Sequence, residues 1–128
     1  MNITSEHHFD LTFRFAVVQA HNLIRALTEV GITDEKKVRS VLESFLFSMA
    51  EDFDESFIRD PALGNKKYYP MICFRDQEEI GKTEQIVFAD GQDAFHETLP
   101  FGVVDTVLDP EDNKLGFTYG NEASEVDL

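Results

Sequence analysis

Four histidines, one cysteine and a large excess of carboxylates are the residues of this chain that could do chemistry, and their spacing separates site from surface. The histidines are His7, His8, His21 and His96. None belongs to a His-Glu-x-x-His motif or to a zinc-type Cys/His pattern, so no metal ion and no cofactor is expected. His7-His8 reads as a solvated pair. His21 lies beside an apolar helical stripe, one turn from Arg25 and near Arg14, a setting that is structural more often than catalytic. His96 adjoins Glu97, but neighbours on a strand point to opposite faces, so this pair would not share a proton.

Cys73 sits within Met71-Ile72-Cys73-Phe74, where a lone cysteine fills core space. A nucleophilic thiol needs positive charge nearby, and the local cation is Arg75. Cys73 with His96 across a sheet is the best enzymatic pairing available, with His21 and Arg25 as further members of a pocket between helices and sheet. No convergent group supports it, and no catalytic residue is assigned. Asp109-Pro110-Glu111-Asp112-Asn113 invites a calcium reading, but Lys114 stands where an EF-hand loop needs Gly and Gly120 where it needs Glu. Gly81 and Gly91 are isolated turn glycines, with no phosphate-binding pattern around them.

The carboxylates carry the stronger signal. The chain has 25 acidic and 11 basic residues, for a net charge of −14. Residues 91–128 hold nine acids and one base, and residues 51–60 hold five acids and one base. Such concentrations attract basic partners and repel nucleic acid and anionic membranes. Around Phe47, on the side of its helix opposite the core stripe, stand Glu51, Asp52, Asp54 and Glu55, with Ile58 beyond them. An apolar anchor ringed by carboxylates is the form an interface hot spot for a basic protein would take. Asp105, Asp109, Glu111 and Asp112 are the second candidate group, on a predicted final hairpin.

Helices and strands must position these residues. A stripe of Phe9, Phe13, Ala16, Val17, Ala20, Leu23, Ile24, Leu27 and Val30 predicts a helix over residues 5–30, with Ser5 as its cap and Gly31 just past its end. Phe9, Leu11, Phe13 and Phe15 also alternate with polar residues, so a strand at 8–15 stays open. A second helix is capped by Thr33 or Asp34, buries Val38, Val41, Leu42, Phe45, Leu46, Met49 and Phe53, and ends at Asp60-Pro61. Residues 61–67 read as a linker. Strands are predicted at Tyr68–Arg75, Thr83–Ala89, Gln92–Leu99, Gly102–Leu108 and 114–119, with turns at Asp90-Gly91 and 109–113. Residues 120–128 read as a frayed acidic tail.

The expected fold is α+β in one domain over 1–128. Its helical part is 1–60 and its sheet part 68–119, with two N-terminal helices on one face of an antiparallel meander of four to five short strands. A chain of 128 residues with twelve Phe can build such a core. One cysteine excludes an internal disulfide, and no basic segment followed by an apolar run opens the chain, so a cytoplasmic location is expected. The functional expectation is a small acidic, non-enzymatic interaction protein that binds a basic partner, as an inhibitor, an immunity-type protein or a DNA mimic. Two alternatives stand beside it. One is a homo-oligomer pairing through the apolar faces of Leu11, Phe15 and Val18 and of Phe47 and Ile58. The other is a small enzyme or ligand binder with a pocket between helices and sheet.

Overall fold

Two caps fix the long helices. The computed structural model describes residues 2–76, 85–88, 96, 102–109, 116–121 and 124–127. Helix α1 runs His8–Glu29 and helix α2 Glu35–Asp54. Asp34 caps α2, its Oδ1 accepting the Lys37 N–H at 2.9 Å, and Glu35 follows against the positive end of the dipole. At the end of α1, Gly31 takes φ 82. The Gly31 and Ile32 N–H groups donate back to the Thr28 and Leu27 carbonyls, a Schellman closure that only a residue at ease with positive φ completes without strain.

The start of α1 differs from the expectation. Ser5 contributes its carbonyl to His8 N–H, and His7, in left-handed backbone at φ 65, precedes the first helical residue. Residues 8–15 are helical, which closes the strand alternative. A short strand β1 (Asn2–Thr4) lies ahead of them. Three residues are too few to display an alternation, so the sequence did not reveal it.

Helix α2 stops at Asp54, six residues short of Asp60-Pro61. Four acids at its C-terminal end oppose the negative pole of the helix dipole. The chain instead turns into a two-residue hairpin, β2 (Ile58–Arg59) against β3 (Lys67–Tyr68). Asp60 organises the tip: its Oδ1 accepts Ala62 N–H at 2.9 Å and starts a 3-10 turn at Pro61–Leu63. The stretch read as a linker is therefore a structured hairpin.

The α+β class holds, with two long N-terminal helices and a small sheet of short strands. The strand order is not a simple meander. Strand β5 (Gln85–Phe88) lies between β1, parallel to it, and β4 (Cys73–Asp76), antiparallel to it. Residues 103–108, predicted as a strand, form helix α3 (Val103–Leu108) after Gly102 at φ 85. His96, predicted within a return strand, has helical backbone. Residues 120–128 were expected to fray, yet β6 (Thr118–Asn121) pairs with β7 (Ser124–Asp127). The Asp90-Gly91 turn lies outside the described residues, as do residues 110–113 of the turn predicted at 109–113.

The core lies where α1, α2 and α3 meet. Ala16, Val17 and Ala20 of α1 pack with Leu42, Leu46 and Ala50 of α2 and with Val103 and Val107 of α3. The alanines let the helix axes approach closely. The segment leading into β4 joins α1 through His8, which is buried. Its Nε2 lies 3.2 Å from the Ile72 carbonyl, and its Nδ1 lies 3.3 Å from Thr12 Oγ1. A carbonyl can only accept, so Nε2 donates to it, and Nδ1 shares a hydrogen bond with the Thr12 hydroxyl. The expected solvated histidine pair is thus split, with His7 outside and His8 in the core.

Burial also acts on His21, whose imidazole is held below the ordinary histidine value of 6.5 by desolvation. The unfolded chain therefore binds a proton that the folded chain resists. Stability from this residue is complete above 6.5 and is lost as pH falls through that value. His21→Gln is expected to flatten the acid limb of stability against pH, measured by urea unfolding across that range. An unchanged slope would remove His21 from the acid response.

Candidate functional site

The C-terminal end of α2 carries the first acidic group, and the structure divides it. Phe47 and Glu51 stand at i and i+4 on one helical face, and Glu55 follows as the C-cap residue just past the end of α2. Phe47 is 53% exposed, and Glu51, Asp52 and Glu55 are exposed. No basic group among the described residues lies within ion-pair distance of these three carboxylates. Asp54 points inward instead. Its side chain is 3% exposed, and Oδ2 accepts the His96 Nδ1–H at 2.7 Å and the His96 backbone N–H at 2.9 Å. The Phe47 ring meets the His96 imidazole edge-on at 5.9 Å. Asp54 is therefore a structural anchor for His96 and is not part of the exposed acidic face of α2.

The second acidic group does not continue the first. Asp105 lies on α3, and its Oδ1 accepts from Arg39 at 3.0 Å, while Arg39 also reaches Glu43 at 3.9 Å. Arg39 and Glu51 are twelve residues apart on α2, or about 18 Å along its axis. The carboxylate of Asp105 is thus partly neutralised and displaced toward the other end of the helix. Asp109 is exposed at the end of α3. Glu111 and Asp112 lie outside the described residues.

The candidate enzymatic pair is not assembled. Cys73 opens β4 opposite Phe88, and its side chain is exposed. His96 is engaged by Asp54 and Phe47 on α2, with no contact to Cys73. His21 and Arg25 lie farther along α1, and among the described residues Arg25 hydrogen-bonds to Asn22 at 3.5 Å. The histidine–carboxylate pair that does form, His96 with Asp54, was hidden from the sequence by a separation of 42 positions. A carboxylate at Nδ1 orients an imidazole, but among the described residues no hydroxyl or thiol contacts its other nitrogen. No group of three or more His, Cys, Asp or Glu side chains among the described residues could hold a metal ion.

A groove of about 640 Å³ opens between α1, the end of α2 and the segments Met71–Phe74 and Phe117–Tyr119. Leu11, Phe15 and Val18, the α1 face expected to pair between copies, form one of its walls. The chain's own residues stand across from that face. No described helix is long and apolar enough to cross a membrane. No protein-family model matches the chain, and no curated protein or solved structure matches it.

Proposed function

We propose that this chain is a small, non-enzymatic interaction protein that docks a basic protein on the C-terminal end of α2. The observation that carries the reading is the stripe of Phe47, Glu51 and Glu55, flanked by Asp52, with a half-exposed ring beside three exposed carboxylates. A ring of this kind supplies contact area with little conformational entropy to lose, and exposed acids steer a cationic surface toward it. The wider charge of −14 adds long-range attraction for the same partner. An inhibitor of a cationic enzyme, or a mimic of nucleic-acid charge, would need this combination. The docking surface is smaller than the sequence alone suggested, because Asp54 and Asp105 already have partners within the chain.

The test is recovery of basic proteins from a native lysate on the immobilised chain, at low salt and at about 0.5 M salt, where exposed charges are screened within a few ångströms. Glu51→Lys with Glu55→Lys is expected to abolish low-salt recovery without altering the fold. Phe47→Ala is expected to weaken it at least tenfold. Equal recovery by wild type and the double charge reversal would sink the proposal.

A further inference from the structure

We propose that the groove along α1 binds an amphiphile with an apolar chain and a single anionic head, the head held by Arg14. This site is distinct from the α2 docking surface and does not depend on it. The groove is lined by Leu11, Phe15 and Val18 from α1, Phe53 from α2, and Ile72 and Phe117 from the facing segments. Its volume of about 640 Å³ falls within the range of small-molecule sites. Leu11, Phe15 and Val18 follow one another at i, i+4 and i+7, a second apolar stripe on a helix whose first stripe already makes the core.

Charge decides the class of ligand. Among the described residues that line the groove, Arg14 is the one that carries a charge. Its guanidinium lies 5.8 Å from the centre of the Phe117 ring, a wall of the same groove, which holds the cation against the apolar surface. Nη1 donates to the Asp10 carbonyl at 3.1 Å, and the Asp10 carboxylate stands off at 3.9 Å. A guanidinium has five N–H donors, so donors remain for a carboxylate or sulfate head. The net charge of −14 opposes any anion, but screening over about 10 Å at moderate salt leaves the local guanidinium dominant at the contact. A cationic head would meet Arg14 directly and be rejected.

Titration calorimetry of the full chain with decanoate, decanol and decyltrimethylammonium, all below their micellar concentrations, tests the assignment. Decanoate is expected to bind one per chain, at least tenfold tighter than decanol, with the cationic amphiphile weakest. Affinity is expected to rise about fourfold per added methylene from octanoate upward, until the groove is filled. Arg14→Gln is expected to weaken decanoate about tenfold or more while leaving decanol within twofold. Leu11→Trp, which fills the groove, is expected to abolish both. Cys73 lines the groove and is exposed, so decanoate is expected to slow its alkylation by iodoacetamide at least fivefold.

The comparison among the three ligands uses the wild-type chain and stands even if a variant fails to fold. Absence of saturable decanoate binding overturns the proposal, as does equal affinity for the cationic amphiphile or undiminished alkylation of Cys73. A concentration-dependent dimer that decanoate neither binds nor dissociates would assign the groove to a second copy of the chain and would equally overturn it.

Discussion

Leu42→Ala is expected to lower the unfolding free energy by about 3 kcal/mol, whereas Phe45→Ala, three residues further on, is expected to lower it by only about 1 kcal/mol. Leu42 is fully buried at the junction of α1, α2 and α3. Removing its branched end loses the transfer free energy and leaves a cavity that rigid helices cannot close. Phe45 is larger, but 40% of it is exposed, so much of its ring never leaves water. Urea unfolding of both variants decides the matter, with the midpoint shifting and the slope constant. A larger loss for Phe45→Ala would mean that the core has been placed on the wrong edge of α2.

The same contrast marks how far periodicity carries. The stripe on α2 included Val38, Leu42, Leu46 and Met49, all buried, and also Val41 and Phe45, which are more than a third exposed. Spacing of three and four locates a helical face but not its margins. Those depend on how wide the neighbouring helices are, and Ala16 and Ala20 make α1 narrow at the contact. Capping was legible because it is local: Asp34 and Gly31 act through groups within a few residues of themselves.

Residues 103–108 misled for the opposite reason. Val103, Val104, Thr106 and Val107 are β-branched and read as strand by propensity. Yet Val103, Thr106 and Val107 stand at i, i+3 and i+4, and all three are buried against the other helices. Burial of that face outweighs a propensity difference of tenths of a kcal/mol per residue. The loss of this strand also dissolves the final hairpin on which Asp105 and Asp109 were placed. Strand β1 was hidden for a further reason: its partner, β5, lies some eighty residues away, and parallel pairing leaves no turn signal between them. Charge counts along the chain were equally blind to Asp54 turning inward, since helical position alone put it near Phe47.

Asp54→Ala is expected to destabilise the fold by about 3 kcal/mol, more than any other carboxylate substitution on α2. Two hydrogen bonds from His96 converge on one oxygen of a side chain that is 3% exposed. Truncation leaves the His96 backbone N–H and Nδ1–H facing a void, so the loss includes the desolvation of both donors. Asp54→Asn keeps an acceptor oxygen and is expected to cost about half as much. His96→Ala removes only the side-chain bond, leaving the backbone N–H on Asp54. A double-mutant cycle between Asp54→Ala and His96→Ala is therefore expected to give a coupling of about 1–2 kcal/mol. The exposed neighbours behave oppositely: Glu51→Ala and Glu55→Ala relieve repulsion between like charges at i and i+4, and are expected to change stability by less than about 0.5 kcal/mol. The two properties should separate cleanly, with Asp54→Ala weakening the fold but sparing partner recovery from the molecules that remain folded. A loss below about 0.5 kcal/mol for Asp54→Ala would show that the carboxylate is solvated after all, and would return it to the acidic surface of α2.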